Sequence, residues 1–274
     1  MVDRSIDRGE EEAVRANRRR AVTICLTPGI LAGVVVGIVL VLVGQPVIAA
    51  AALVVVAVGI SWWVWRVAPR AVVRSVGAIP SNEWDYPRLH NLVDGLCATM
   101  GLPRPTICVI DSPVPNAMAI GRSPATASLV VTSGLDESLS LVELEGVLAH
   151  ELVHIKRHDT VVGGVAVVAT APLAAIIGPA KATDRVHTLI GRGREFSADQ
   201  RAAGVVRYPP GIVSALDAMA NGEGAVGQWP PSLGRMAMLT RWLWIDPMAG
   251  APARPPADGD LDDTRVRAAA LSLY

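Results

Sequence analysis

Two histidines four residues apart stand in the run His150-Glu151-Leu152-Val153-His154. On an α-helix that spacing sets both imidazoles on one face, a turn apart, where they can converge on one cation. Neutral imidazole donates well to zinc, at about 2.0–2.1 Å. Glu151 is offset from the pair, where a carboxylate can take a proton from a water that the cation activates. A catalytic zinc needs a third protein ligand and a position left for water. Downstream, Glu195-Phe196-Ser197-Ala198-Asp199 sets two carboxylates four residues apart, again on one helical face. Glu195 could complete a His-His-Glu set. Asp199 could accept the second ring N–H of a ligand histidine and so fix its tautomer. The same acids could instead pair with Arg192, Arg194 and Arg201 on a surface helix.

Converging imidazoles require a helix with a defined start. Ser140 followed by Glu143 makes a capping box ahead of Leu144, Val147 and Leu148. A helix therefore begins there and carries the His pair in its middle. Further upstream, Leu89, Leu92, Val93 and Leu96 recur at helical spacing within residues 81–100, and Gly101-Leu102-Pro103 ends that segment. Three short apolar runs follow, Thr106–Ile110, Ala117–Ile120 and Ser128–Thr132, punctuated by Pro, Gly and Ser. They predict a small antiparallel sheet. Residues 222–234 and 249–263 read as loops, and 262–273 as a short helix.

The chain of 274 residues is 51% hydrophobic and only 18% charged, with 25 basic and 25 acidic side chains. Zero net charge argues against a nucleic-acid partner, which calls for a basic surplus. Three cysteines, Cys25, Cys97 and Cys108, show no paired spacing, in keeping with a reducing compartment. The missing charge has an address, since residues 21–65 contain no Asp, Glu, Lys or Arg. A crossing needs roughly 20 helical residues, so this run fits two spans, 21–43 and 47–65, turning at Gly44-Gln45-Pro46. It is too long for the apolar region of a signal peptide; the other reading is a buried hairpin in a soluble core. Arg4, Arg8, Arg15, Arg18, Arg19 and Arg20 precede the pair and Arg66, Arg70 and Arg74 follow it. The positive-inside rule then puts both ends in the cytoplasm. Trp62, Trp63 and Trp65 fall where an interfacial aromatic belt would lie, or pack as ordinary apolar residues.

Three parts result: a basic cytoplasmic segment over residues 1–20, two membrane helices over 21–67, and a catalytic domain over 68–274. Residues 160–180 form a second charge-free run, long enough to span. Yet it lies between His154 and Glu195, which must share one side of the membrane to share one metal. The return stretch to Arg194 is too short for a second full crossing and carries Lys181, Asp184, Arg185 and His187. This run is therefore expected to dip into the membrane, to lie on it, or to pack against the first two spans. Without the two apolar runs, charge rises to about 24%, close to the ordinary level.

The stretch His150 to Asp159 (HELVHIKRHD), together with Glu195-Phe196-Ser197-Ala198-Asp199, resembles the HtpX-type membrane zinc metalloproteases, relatives of the CAAX-prenyl proteases. Pro115-Asn116-Ala117-Met118-Ala119 and Val131-Thr132-Ser133-Gly134-Leu135 add to the resemblance, as does the N-terminal hydrophobic hairpin. The likeness runs from about Ser81 to the C-terminus. It implies an α+β, mainly helical fold, with a transmembrane helical hairpin ahead of a zincin-like domain holding the small antiparallel sheet. It also implies one Zn2+ per subunit on His150, His154 and Glu195, and Glu151 as general base. Asn116, Ala117, Met118 and Ala119 would form the edge strand that pairs with an extended substrate, or be an ordinary sheet strand. The family often has a His-Pro pair near the C-terminus, followed by an Arg in a short helix. Asp246-Pro247 stands here instead, with no histidine after His187. Thr264-Arg265-Val266 resembles the Arg segment, so Arg265 is the candidate to stabilise the oxyanion, unless it is an exposed helix charge. Tyr208 is a weaker candidate, and His90, His158 and His187 match no ligand position.

The expected function is a zinc-dependent endopeptidase on the cytoplasmic face of the cell (inner) membrane. Its partners would be protein or peptide substrates, membrane proteins among them, and the lipid bilayer. The alternative is a non-catalytic membrane scaffold with a structural zinc, which a fourth protein ligand would reveal.

Overall fold

A computed structural model describes residues 4–220, 238–247, 261 and 263–273. The loop expected over 222–234, and that over 249–263 apart from 261 and 263, lie outside the described residues.

The first span is part of a longer rod. Helix α1, Arg4–Leu42, runs unbroken from the basic segment into the apolar one. A turn with Gly44 at φ 80° leads into α2, Pro46–Ser75, which continues ten residues past the expected end of the second span. The two helices pack closely because small residues meet backbone. A side chain at Gly29 would collide with the Ala57 carbonyl, and one at Gly33 with the Leu53 carbonyl. Cys25 Sγ–H donates to Ser61 O across the same interface at 3.0 Å.

Helix α3, Pro87–Met100, starts later than its apolar periodicity suggested. Asn82 is the reason: its Oδ1 accepts from the N–H groups of Trp84 and Asp85, which folds residues 82–85 into a turn. Strands β2 (Thr106–Ile110), β3 (Ala117–Ile120) and β4 (Ser128–Thr132) fall on the three apolar runs, and a two-residue strand, β1 (Ile79–Pro80), joins them. The expected antiparallel sheet is in fact mixed. Its order is β1-β2-β4-β3, with β2 and β4 parallel. The short β3–β4 connection makes those two an antiparallel pair, and β2 then takes the other edge of β4 in the parallel sense.

Both faces of this sheet are buried. Ile107, Val109, Leu129 and Val131 point into a core shared with α3, with α5 (Leu141–Lys156) and with α9 (Pro210–Ala220). Cys108, Ile110, Met118, Ile120 and Val130 point the other way, toward α1, α2 and α6 (Asp159–Ile177). The period of two thus divides β2, β3 and β4 between two cores, one on each face of the sheet. Between β4 and α5 lies α4, Ser133–Ser138, capped by the Thr132 hydroxyl accepting from Leu135 N–H.

The apolar run over 160–180 is α6, which packs along α1 and α2 and is largely buried inside the molecule. Gly178, at φ 85°, turns the chain into α7, Pro179–Ile190. At 1.5 Å per residue α6 is about 28 Å long and α7 about 18 Å, so the return leg is too short to cross a 30 Å core. Side-chain contacts fix where this hairpin begins and ends. Asn17 Nδ2–H donates to Asp159 at the start of α6, and Arg20 Nη1–H donates to Ile190 O at the end of α7, at 3.1 Å. Asn17 and Arg20 are one turn apart on α1, so the hairpin returns to the level it left. The chain then enters α8, Arg194–Ala203, and closes with α10, Thr264–Leu271. Among the described residues three helices, α1, α2 and α6, are long and apolar enough to cross a membrane.

Candidate metal centre

Helix α5 starts at the expected cap, where the Glu143 carboxylate accepts from Ser140 N–H at 2.8 Å. Its periodicity buries nearly everything from Leu144 to Ile155, the motif included. His150 is wholly buried, and Glu151 and His154 nearly so. From α8, Glu195 comes to meet them. His150 Nε2 lies 3.0 Å from Glu195 Oε2 and 3.1 Å from His154 Nε2, and the latter lies 3.4 Å from Glu195 Oε2. Side chains 45 residues apart in sequence thus place three ligand atoms around one point.

The far side of each imidazole decides the chemistry of that point. His150 Nδ1 is 2.7 Å from Asp199 Oδ1, and His154 Nδ1 is 2.9 Å from Asp159 Oδ2. A carboxylate takes a proton, so each Nδ1 is the N–H and each Nε2 carries the lone pair. Two lone pairs and a carboxylate oxygen then face each other in a buried space, an arrangement that repels itself unless a cation sits among them. Without a metal, a proton on His154 Nε2 answers the same demand: burial works against its charge, yet the Glu195 carboxylate and the Asp159 hydrogen bond outweigh it and raise its pKa to about 9. Tetrahedral zinc with bonds near 2.1 Å sets ligand atoms about 3.4 Å apart, within a few tenths of an ångström of the three distances found. Both oxygens of Glu151 are buried and without a hydrogen-bond partner. Burial pushes its pKa up, the setting in which a carboxylate serves as a base near neutral pH. The residues present fit a zinc ion with an unspent carboxylate beside it. Among the described residues the ligand cluster has three protein groups and no fourth.

Two arginines hold the acids in place. Arg194 Nε lies 2.8 Å from Glu195 Oε1, leaving Oε2 for the centre. Burial opposes the charge of Glu195, but Arg194 and the two histidines hold its pKa well below the usual range. Arg267, fully buried on α10, grips Asp199 with two bonds, Nε to Oδ2 at 2.7 Å and Nη2 to Oδ1 at 2.8 Å. Its Nη1–H also donates to Ile245 O at 2.5 Å. Of the two arginines on α10, Arg267 is the one that reaches the acid behind His150. Arg265 stands two residues earlier on a different face, with its guanidinium on Ala220 O at 3.3 Å. A side chain that grips a helix 68 residues away leaves no local pattern; its one trace is the second arginine of Thr264-Arg265-Val266-Arg267.

Asn116 is wholly buried, and its amide is spent on its own fold. Nδ2–H donates to Asp246 O at 2.8 Å, while Oδ1 accepts from Asp246 N–H and Ala117 N–H. Asp246 accepts from the Thr264 hydroxyl at 2.9 Å. Strand β3 is a sheet edge. Asn116 O accepts from Thr132 N–H, so the backbone of Met118 faces β4 and that of Ala117 and Ala119 faces outward. Ala117 O is taken by Ile245 N–H at 2.9 Å. Tyr208 is exposed, and His187 stacks on Trp242 at 3.8 Å between ring centroids. His90 and His158 lie outside the ligand cluster.

Comparison with known proteins decides the lineage. The sequence profile of peptidase family M48 matches residues 83–243, a stretch that contains α5, α8 and all three atoms of the ligand cluster. The chain belongs to peptidase family M48. It is thus a metalloendopeptidase by family, and its relatives carry the name expected from the motifs. A protease HtpX homolog of Acidiphilium cryptum is 37% identical over 204 residues, spanning 64% of this chain and 70% of that protein. A protease HtpX homolog of Salinibacter ruber is 34% identical, over 59% of this chain and 65% of its own length. One of Dictyoglomus thermophilum is 32% identical, over 58% and 62%. The chain thus spans roughly two thirds of the length of these relatives. No solved structure matches it. The M48 match ends at residue 243, so Asp246 and Arg267 lie beyond it.

Proposed function

We propose that this M48 chain is a membrane-held endopeptidase that uses one zinc ion to hydrolyse peptide bonds on the cytoplasmic side of the cell (inner) membrane. The carrying observation is the buried trio His150, His154 and Glu195 beside the unpartnered carboxylate of Glu151. Zinc held by the trio would polarise the scissile carbonyl and make a water acidic enough to react near neutral pH. Glu151 takes the proton of the attacking water on its carboxylate and delivers it to the leaving amine nitrogen. Asp199 and Asp159 keep the Nε2 lone pairs of the two histidines aimed inward. Substrate approaches as an extended strand along the outer edge of β3, where Ala119 turns its N–H and C=O outward. The Ile245 backbone covers the Ala117 end of that edge, so pairing is directed toward Ala119.

Basic residues on both flanks of the α1–α2 pair support the cytoplasmic orientation. Three apolar helices beside the centre favour substrates that are themselves membrane proteins, in membrane-protein quality control. The test is Glu151→Gln: it should keep zinc and lose cleavage of an unfolded membrane-protein substrate by at least about 100-fold. Undiminished cleavage by the zinc-loaded variant would sink the mechanism.

A further inference from the structure

The turn between α5 and α6 is unusual. His158 has φ 61°, the one non-glycine residue with positive φ among those described. A residue with a side chain seldom adopts this left-handed conformation. The bend has a visible result. It brings Asp159 back against His154, only five residues earlier, so that their 2.9 Å contact closes.

Beyond the turn's own backbone bonds, His158 N–H to Ile155 O and Val161 N–H to His158 O, something outside it ties the bend together. That something is Asn17, 142 residues away on the stretch of α1 that precedes the first apolar span. Its Nδ2 group bridges the two sides of the bend, donating to Arg157 O at 3.0 Å and to Asp159 Oδ1. The remaining oxygen, Oδ2, is the one that faces His154. One amide therefore ties the end of the ligand-bearing helix to the acid that orients the ligand. A turn or two further back on α1, Glu10 pairs with Lys156 on α5 at 3.4 Å and with Arg201 on α8 at 3.2 Å. The same stretch of α1 thus touches both helices that supply ligands.

We propose that Asn17 is a positioning residue of the metal centre: by holding Asp159 through the left-handed turn at His158, it aims His154 at the metal, and the stretch of α1 before the membrane is part of the active centre. This rests on the zinc reading given above. It goes beyond that reading by placing a residue of the basic N-terminal segment in control of a ligand.

The experiment uses the full chain in detergent or lipid nanodiscs and Zn2+ buffered by a chromophoric chelator, so that affinity is read without any turnover. Removing a hydrogen-bond partner behind a ligand histidine typically costs 10–100-fold in metal affinity. Asn17→Ala and Asn17→Leu, one link further out, should each weaken zinc binding about tenfold. In the zinc-saturated protein they should lower kcat with KM unchanged. Arg15→Gln, an exposed change two residues away on α1, should bind zinc like the parent. His154→Ala checks the underlying reading. Parental zinc affinity in His154→Ala would overturn both that reading and the proposal. Loss of zinc in His154→Ala with both Asn17 variants within twofold of the parent would overturn the proposal alone. A fall in melting temperature of the Asn17 variants, alike with and without zinc and with affinity unchanged, would assign Asn17 a purely structural role and count against it.

Discussion

At the scale of single residues, the buried trio is braced by two carboxylates that are not part of it. Asp159 takes the Nδ1–H of His154, Asp199 lies 2.7 Å from Nδ1 of His150, and Arg267 supports Asp199 from a helix far along the chain. Arg267 and Asp199 are both fully buried, and a buried ion pair is costly to break from one side because the survivor keeps its charge out of water. Arg267→Met should therefore destabilise the protein by roughly 3–5 kcal/mol. Arg265→Met, which removes one contact to a backbone carbonyl, should cost about 1 kcal/mol or less. Denaturation curves of the two variants side by side check the ranking, and equal losses would refute it. His150 and His154, two of the candidate ligands, are legible in the sequence, because i,i+4 spacing on a capped helix is a local signal. Arg267, Asp159 and Asn17 are not, since each acts on a partner that only folding brings near. The motif HELVHIKRHD contains Asp159, but nothing local shows that a left-handed residue before it turns its carboxylate back.

At the scale of elements, the three longer strands fall where apolar runs and turn residues placed them. Their order was hidden, because a parallel β2–β4 pair depends on which edge of β4 is left free. The start of α3 was misplaced because a side-chain turn at Asn82 interrupts an otherwise helical pattern. His90, on α3, packs into that junction: Arg104 Nη2 meets its Nδ1 at 2.7 Å and Ser81 Oγ meets Nε2 at 2.9 Å. An arginine can only donate, so Nδ1 accepts and the ring is neutral, with its own N–H toward Ser81. Burial first and Arg104 second push the His90 pKa down, against weaker pulls from Glu83 and Asp94. The unfolded chain then holds the proton more tightly than the folded one. The stability from this site is full above the unfolded value of about 6.5 and is lost as pH falls through the depressed folded value. Melting temperature recorded from pH 8 to pH 5 should drop less steeply for His90→Gln than for the parent. Parallel curves would show that this junction contributes nothing to acid sensitivity.

At the scale of the whole molecule, the sheet separates two cores, one shared with α5 and the other with α1, α2 and α6. The apolar hairpin α6–α7 leaves α1 beside Asn17 and returns beside Arg20, so the segments that carry His154 and Glu195 end on one side. The apolar run over 160–180 and the parity argument were legible from composition; the burial of α6 against α1 and α2 required the fold. All three native cysteines are buried, which makes an added thiol easy to read. Arg185, exposed on α7, replaced by Cys should react with a membrane-impermeant maleimide in inside-out vesicles and stay unlabelled in intact cells. Labelling from outside would require the hairpin to cross, and would break the shared centre.

That hairpin also sets an order of events as the chain is made. On the ligand set proposed above, His150 and His154 emerge before it and Glu195 only after it. The buried trio cannot close until α6 and α7 have settled against the first two helices. Nascent or mis-inserted copies therefore have at most two of the three ligands in place and no shaped cavity for a metal. On that reading, the seating of α6 and α7 against α1 and α2 is a precondition for bringing Glu195 to the two histidines.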